Sequence, residues 1–202
     1  MGKVILAITM SLDGFVTGPN DSPSNPLGDH GERLFEWYRS GDTDVPMPDG
    51  LVLKVSAESA KLLKQAFRDG GAMVAGREMF DVASAWGGHP PISPCFILTH
   101  RPPAEWIKPD SPFTFVTDGI ESAIRQAKQA AGEKNVAIST ASVMQQCLKA
   151  GLLDEIHIDL APVLLGSGTR LFEYLGVEPI ALERTQAVAT PDVTHLTFRV
   201  IK

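Results

Sequence analysis

Short apolar segments alternate with helix-type segments along residues 3–151, and this alternation limits the possible folds more than any other feature of the chain. The first segment, Val4-Ile5-Leu6-Ala7-Ile8, is almost continuously apolar, which is typical of a central strand buried on both faces. Further strand-like segments lie at 72–75, 95–98, 113–116 and 136–138. Strands that alternate with helices predict a largely parallel α/β sheet.

Four amphipathic stretches are predicted to form the helices. We expect Asp29 with Glu32, and Asp118 with Glu121, to cap two of them reciprocally. The expected helices are 29–39, 56–69, 118–132 and 142–150. The second should face the core with Leu62, Leu63, Ala66 and Phe67, and the fourth with Val143, Met144, Cys147 and Leu148. Gly132 should end the third helix, and Gly151, in a left-handed conformation, the fourth.

The last third of the chain has a different pattern. Residues 155–160 and 193–200 alternate strictly between apolar and polar, as half-buried strands do. Residues 180–189 and the turn Thr190-Pro191-Asp192 precede the final strand, which predicts a terminal antiparallel hairpin. With 202 residues and no repeat or linker, the chain is expected to be one domain, 1–202, built on a mixed sheet of about eight strands.

Composition excludes several classes of function. Eighteen Lys and Arg against 24 Asp and Glu give a net charge of −6, which argues against a nucleic-acid partner because phosphate-backbone binding is mostly electrostatic. No apolar run approaches the roughly 18 residues of a membrane helix, and the N-terminus lacks a signal-peptide layout, so we expect no membrane association and a cytoplasmic protein. Cys95 and Cys147 lie far apart in apolar stretches and are predicted to be buried free thiols.

Common catalytic motifs are absent. The five histidines are scattered, so no metal site is expected, and neither a GxSxG elbow nor a GxxxxGK[ST] loop occurs. Gly166-Ser167-Gly168 begins like a dinucleotide fingerprint but lacks its third glycine, which favours a turn.

Polar or small residues follow four of the predicted strands, where open α/β sheets bind ligands. Gly76 would let the backbone approach a ligand closely, and Arg77 offers a guanidinium for a phosphate. The alternatives are a plain turn at Gly76 and a surface ion pair at Arg77. Hydroxyls beside a helix start favour an anion site or serve only as caps. The four ends are 9–18, 76–78, 98–101 and 139–142.

Specific segments carry a resemblance to a known family. They are Ser11-Leu12-Asp13-Gly14, Gly76-Arg77-Glu78-Met79-Phe80, Ile97-Leu98-Thr99-His100, Ala150-Gly151-Leu152-Leu153-Asp154-Glu155 and Ala161-Pro162-Val163-Leu164-Leu165-Gly166-Ser167-Gly168-Thr169-Arg170-Leu171-Phe172. In this order they make roughly residues 2–201 resemble the RibD C-terminal family. The resemblance implies an α/β, dihydrofolate reductase-like three-layer fold. It also implies a homodimeric, NADPH-dependent reductase that transfers hydride to a pterin or pyrimidine, like 5-amino-6-(5-phosphoribosylamino)uracil reductase in riboflavin biosynthesis.

The resemblance also assigns cofactor-binding residues. The nicotinamide would lie by Thr9 and Val16, under a loop that ends at Gly18. The residues implied for the rest of NADPH are Gly76, Arg77 and Glu78 at the phosphates, with Arg77 on the 2′-phosphate; Leu98, Thr99 and His100 at the adenosine half; and Ser139, Thr140, Ala141, Ser142 and Val143 at the pyrophosphate. Ser139-Thr140 replaces the usual Gly-Gly of the family, and its side chains would either crowd the diphosphate or hydrogen-bond to it.

The substrate side is expected on the helix at 29–39. Glu32 is the candidate proton donor, which requires burial to raise its pKa, and its alternative role is to cap with Asp29. Trp37 and Tyr38 would line a heteroaromatic substrate or simply belong to the core, and Asp13 would shape the first loop. Two other hypotheses are a binding homodimer without turnover on the same scaffold and a purely structural dimer module.

Overall fold

The computed structural model describes residues 2–48, 50–176 and 178–202. The strands are β1 (Val4–Ser11), β2 (Phe15–Thr17), β3 (Thr43–Pro46), β4 (Val52–Val55), β5 (Gly70–Gly76), β6 (Cys95–Leu98), β7 (Phe113–Val116), β8 (Asn135–Ile138), β9 (Glu155–Ala161), β10 (Thr169–Arg170), β11 (Leu182–Ala189) and β12 (Thr194–Val200). The α-helices are α1 (Ala57–Asp69), α2 (Arg77–Val82), α3 (Ile120–Ala131) and α4 (Ala141–Lys149). Two 3₁₀ helices span Gly31–Arg39 and Ala104–Trp106, and a left-handed turn spans Ser84–Gly88.

Eight strands form the main sheet, in the order β11-β12-β9-β1-β8-β5-β6-β7. The six strands from β9 to β7 are parallel to one another, whereas β12 is antiparallel to both β9 and β11. The central strand β1 was predicted to be buried on both faces, but only one face is buried: Val4 and Leu6 are fully buried, whereas Ala7 on the other face is exposed. Leu6 lies opposite Ile138 on one side and Ile156 on the other. The predicted mixed sheet and its C-terminal hairpin are therefore confirmed.

Alternation along the strands separates the core into layers. On β5, Ala72 and Val74 face a large cluster with α3 and α4, while Met73 and Ala75 face a second cluster that includes Phe80 of α2. A third cluster joins the 3₁₀ helix Gly31–Arg39 to the β3–β4 hairpin and α1. The sheet thus lies between helical layers, as the three-layer prediction requires.

Both reciprocal capping predictions are wrong. The 3₁₀ helix begins after His30, whose φ is +62° and which makes no side-chain cap, and the Asp29 carboxylate instead accepts hydrogen bonds from the amides of Asn20 and Asn25. Helix α3 begins after Gly119, with φ +103° and no side-chain cap. In both cases the chain enters the helix through a backbone conformation that places the predicted capping side chain elsewhere.

The other helix predictions hold to different degrees. Ser56 caps α1 by accepting from the Ser59 N–H, but the buried residues of this helix are Ser59 and Ala60 rather than Ala66, which is exposed. The buried face of α4 includes Val143, Met144 and Cys147 as predicted. Gly132 and Gly151 have φ of +62° and +66°, so both predicted terminators are confirmed.

Two smaller predictions, one about a turn and one about the cysteines, are also confirmed. Gly166 and Gly168 lie in a turn with φ of +77° and +131°, and Cys95 and Cys147 are buried free thiols. Over the described ranges, no helix is long and apolar enough to cross a membrane, and no cluster of His, Cys, Asp and Glu could hold a metal ion.

Candidate functional site

The carboxyl ends of the parallel strands meet along one edge of the sheet. Since β9, β1, β8, β5, β6 and β7 are all parallel neighbours, the residues that follow them must lie side by side. The ends of β8 and β5, at Ser139 and Gly76, lie between the end of β1 and the end of β6. The fold therefore brings the four predicted strand ends to a common edge.

A cleft of about 410 Å³ lies at this edge, where β5, β6 and β7 end and α4 begins. Seven of its lining residues were predicted from the sequence: Gly76, Arg77, Leu98, Thr99, His100, Ser142 and Val143. Arg101, which also lines the cleft, belongs to the predicted strand end at 98–101, whereas sequence reasoning did not assign Thr117, Gly119 or Gln146. A cleft that several strand ends and a helix start share is typical of nucleotide sites in α/β proteins.

The start of α4 is the part of the cleft best suited to an anion. No side chain caps this helix, so the N–H groups of its first turn have no partner within the helix. A Cβ atom at Gly76 would lie 3.3 Å from Ser142 Oγ and 3.6 Å from Thr140 Oγ1, so only glycine leaves this space open. Thr140 Oγ1 is buried with no hydrogen-bond partner among the described residues. A phosphate here would satisfy both the helix N–H groups and this hydroxyl.

Arg77 is held at the mouth of the cleft by two groups. Its Nε donates to both carboxylate oxygens of Asp81, at 2.8 and 2.9 Å, and its Nη1 donates to the Arg101 carbonyl oxygen at 2.6 Å. The ion pair raised from the sequence is therefore present, and Arg77 also lines the cleft, while its contact with a phosphate stays a prediction.

The remaining residues predicted for the phosphates lie outside the cleft lining. Glu78 is exposed on α2, and Ala141 is buried against the main core. Ser139 Oγ donates a weak hydrogen bond to Met73 Sδ at 3.9 Å. Thr140 does not line the cleft but places its hydroxyl beside Gly76 and Ser142.

The residues predicted for the nicotinamide lie at the end of β1 and in the segment after it. Thr9 is only 3% exposed, and its side chain lies near the Tyr38 hydroxyl. The Val16 side chain is buried in the main core, so it does not present an open surface. Gly18 is required by the fold, because a Cβ there would meet the Asp29 carbonyl oxygen.

Asp13 ties the loop after β1 to the turn at 162–168. Its carboxylate accepts hydrogen bonds from the N–H groups of Leu165, at 3.1 Å, and Gly166, at 2.7 Å. The Ser11 hydroxyl donates to the same carboxylate at 2.6 Å, and this bond is the main reason that the pKa of Asp13 is lowered. Asp13 therefore shapes the loop, as the sequence suggested.

Three predicted site residues lie on the 3₁₀ helix Gly31–Arg39, some in the core and one in solvent. Glu32 is exposed, so it lacks the burial that a proton donor at this position requires. Trp37 is 2% exposed and packs edge-on against His195, with 5.5 Å between ring centroids. Tyr38 is half-buried, and burial, reinforced by the Asp159 charge, raises its pKa, so it remains a neutral hydroxyl donor.

A polar cluster that sequence reasoning missed lies beside Thr9 and Tyr38. His195 Nδ1 is 2.6 Å from Asp159 Oδ1, and His195 Nε2 is 2.8 Å from Ser59 Oγ. This order of groups resembles a serine hydrolase triad, but Ser59 is 1% exposed and no substrate can reach its hydroxyl. The only sequence signal was a polar residue on an alternating strand at each of positions 159 and 195.

The sheet order defines a dihydrofolate reductase-like fold, with a cleft at the carboxyl edge of the sheet. Residues 2–196 match the model of the RibD C-terminal domain, and the chain belongs to that family. By sequence, no curated protein shows significant similarity to this chain.

Solved structures share the fold at low sequence identity. A putative riboflavin biosynthesis protein from Shewanella sp. PV-4 matches with a TM-score of 0.74, 20% identity and complete coverage of both chains. Dihydrofolate reductase from Enterococcus faecalis, complexed with NADP(H) and RAB-propyl, has a TM-score of 0.60 and 13% identity, over 100% of this chain and 98% of that one. Riboflavin biosynthesis reductase from Saccharomyces cerevisiae has a TM-score of 0.58 and 12% identity, over 99% and 90%.

Proposed function

We propose that this protein is an NADPH-dependent reductase whose substrate is a pterin or a pyrimidine of the 5-amino-6-(5-phosphoribosylamino)uracil type. The observation that carries the proposal is the uncapped start of α4, which faces Gly76 and the unpartnered Thr140 hydroxyl at the edge of the cleft. The family and the reductases that share the fold agree with it.

The chain's own residues would bind the cofactor and orient it. The first turn of α4 and Thr140 would hold the pyrophosphate, Arg77 the 2′-phosphate, and Leu98, Thr99 and His100 the adenosine half. Thr9 would lie beside the nicotinamide, which supplies a hydride to a C=N or C=O bond when the cofactor is bound. The chain then contributes mainly binding, orientation and a proton.

Titration with NADPH and with NADH, followed by fluorescence or calorimetry, tests the proposal directly. We expect both to bind at submillimolar concentration, with NADPH the tighter ligand. If neither binds at that concentration, the reductase function is refuted.

Arg77→Ala is expected to weaken NADPH binding by about 10- to 100-fold while NADH binding changes little, because a charge-assisted hydrogen bond to a phosphate contributes about 1.5 to 3 kcal/mol. Asp81→Ala is the matched control, since it removes the ion pair with Arg77 but keeps the guanidinium. Calorimetry of the two variants with both cofactors measures the difference. Equal losses of affinity for NADPH and NADH would show that Arg77 does not bind the 2′-phosphate.

A second candidate function is a nucleotide- or small-molecule-binding homodimer without turnover. Two observations favour it: the Ser139-Thr140 side chains occupy the strand end, and Glu32 is exposed. Incubation of the protein with NADPH and a panel of pterins and pyrimidines separates the two functions. Bound NADPH that no compound oxidises would favour the binding protein.

We further propose that the chain forms a homodimer through the β11 edge. This edge strand is exposed along most of its length, and Leu182 on it is 43% exposed, which is unusual for an unprotected edge in a monomer. Light scattering after size-exclusion chromatography should give twice the chain mass of 21.7 kDa. Leu182→Lys should reduce this to the monomer mass, whereas Leu164→Lys, at an exposed leucine outside β11, should not.

A further inference from the structure

The cleft at the carboxyl edge of the sheet is basic, although the whole chain is acidic. Arg77, His100 and Arg101 are among its lining residues, and none of the described residues that line it is an Asp or a Glu. The chain as a whole carries a net charge of −6. A local excess of positive charge in a concave site attracts anionic ligands, and the two arginines are charged at any physiological pH.

The charge of Arg77 is offset within the protein. Its Nε donates to both carboxylate oxygens of Asp81, the nearer at 2.8 Å, so the two opposite charges lie in direct contact. The field of such a pair falls off faster with distance than that of a lone guanidinium, because the two charges cancel. Arg77 can still donate its remaining N–H groups to a phosphate, but the pair with Asp81 leaves little net charge to favour a ligand with an additional phosphate.

The guanidinium of Arg101 has no such partner. Arg101 is exposed and lines the cleft, and in the described ranges its side chain makes no hydrogen bond, ion pair or ring contact. A guanidinium carries five N–H donors in a planar fork that matches the oxygens of a phosphate. Arg101 therefore supplies the positive charge that the Arg77–Asp81 pair does not.

Backbone contacts hold Arg101 beside Arg77. Arg77 Nη1 donates to the Arg101 carbonyl oxygen at 2.6 Å, and the Arg101 N–H donates to Thr99 Oγ1 at 3.2 Å. Pro102 and Pro103 follow directly, and each fixes its own φ. The Arg101 side chain therefore starts from a fixed point next to the Arg77 guanidinium, which reduces the conformational entropy lost when a ligand binds.

We propose that Arg101 makes the cleft prefer NADPH to NADH, by adding a second guanidinium at the 2′-phosphate beside Arg77. This inference rests on the proposed reductase function. The two cofactors differ only in that phosphate, which as a phosphate monoester carries about 1.5 to 2 negative charges at pH 7. A guanidinium without a partner, next to one that Asp81 already offsets, provides the net charge that the extra phosphate requires.

The competing explanation is that Arg101 is only a solvated surface residue and that Arg77 alone holds the phosphate. The two explanations differ in which ligands an Arg101 variant binds less tightly. Loss of a contact with the 2′-phosphate weakens the binding of only those ligands that carry this group. Loss of a solvated side chain leaves the affinity for every ligand of the cleft unchanged.

Arg101→Ala is expected to weaken NADPH binding by at least about 10-fold and to leave the Kd for NADH within about twofold, because it removes a charge-assisted hydrogen bond to a phosphate. Calorimetric titration of the whole chain with each cofactor measures both constants. Arg68→Ala is the matched control, since it removes the same charge from a side chain that is 74% exposed on α1, outside the cleft lining. It should change neither Kd.

A second pair of ligands tests the site without the nicotinamide. Adenosine 2′,5′-bisphosphate and adenosine 5′-monophosphate also differ only by the 2′-phosphate. The wild type should bind the bisphosphate more tightly, and this preference should shrink in Arg101→Ala but not in Arg68→Ala. Because the contact joins exposed charges, added salt should weaken binding of the bisphosphate more than that of the monophosphate, and this difference should also shrink in Arg101→Ala.

The outcomes separate the role of Arg101 from the reductase function. Equal affinity of the wild type for NADPH and NADH, or an equal effect of Arg101→Ala on the two cofactors, would overturn the role of Arg101 while a reductase function stands. Failure of the wild type to bind either cofactor at submillimolar concentration would overturn both. Loss of affinity for NADPH alone in Arg101→Ala, with a native circular dichroism spectrum, would support the proposal.

Discussion

Replacement of Gly168 by alanine is expected to lower the free energy of unfolding by at least about 3 kcal/mol. Two costs combine at this position. The φ of +131° is a conformation that only glycine adopts readily, and a Cβ there would meet the Thr17 carbonyl oxygen, a backbone atom that cannot move aside. Equilibrium urea unfolding followed by circular dichroism measures the change.

Gly166→Ala is the matched control for this prediction. Gly166 lies in the same turn with φ +77°, but a Cβ there meets no atom within 4 Å among the described residues. Only the conformational cost applies, so we expect a loss of about 1 to 2 kcal/mol. Equal losses in the two variants would show that the contact with β2 contributes nothing.

The position matters for the site because Gly168 precedes β10, which pairs with β2. The segment between β1 and β2 is the loop that the resemblance places over the nicotinamide. If Gly168→Ala displaces this pairing in molecules that still fold, NADPH binding should weaken as well. Calorimetric titration of the folded variant would detect that effect.

Trp37→Ala is expected to destabilise the protein by about 3 to 5 kcal/mol, because it removes a large buried side chain and leaves a cavity. Trp37 is 2% exposed and packs with Val45, Val55 and Val193, so it joins the 3₁₀ helix to the β3–β4 hairpin and to the segment before β12. Urea unfolding of the variant measures the loss.

Trp37→Phe separates packing from hydrogen bonding. The indole Nε1 is buried with no hydrogen-bond partner in the described part of the chain, so phenylalanine removes no bond and leaves a smaller cavity. We expect a loss of about 1 to 2 kcal/mol. A loss as large as that of Trp37→Ala would contradict this account. Unchanged turnover of the panel compounds would argue against the predicted contact of Trp37 with substrate.

The arrangement of the strands was predictable because burial leaves a local pattern. A strand covered on both faces, such as β5, reads as a continuous apolar run, and a half-buried strand, such as β9, alternates. The apolar run of β1 overstates its burial, because Ala7 on its second face is exposed. Helix starts were less predictable. Asp29 and Asp118 have the right residue type and spacing for caps, but His30 and Gly119 adopt backbone conformations that turn the chain differently. The local sequence does not specify those angles.

The cleft was partly predictable for a related reason. Gly76, Leu98 and Ser142 follow recognisable strands or begin a helix, and parallel strands place such residues at one edge. Thr117, Gly119 and Gln146 line the same cleft without any motif, because their contribution depends on how far each loop and helix turn extends. Glu32 shows the opposite case: the sequence predicted it as a proton donor on the helix at 29–39, but its side chain is exposed.

Sequence alone determined the class of fold, the antiparallel C-terminal pair and the general position of a cleft at the carboxyl ends of the strands, because each follows from the pattern within a few consecutive residues. Only the tertiary structure brought Ser59, Asp159 and His195 within hydrogen-bonding distance. Their proximity results from the register between β9 and β12 and from the packing of α1, which are contacts between residues far apart in the chain. Such contacts depend on how whole elements fit together, and no single segment of the sequence records them.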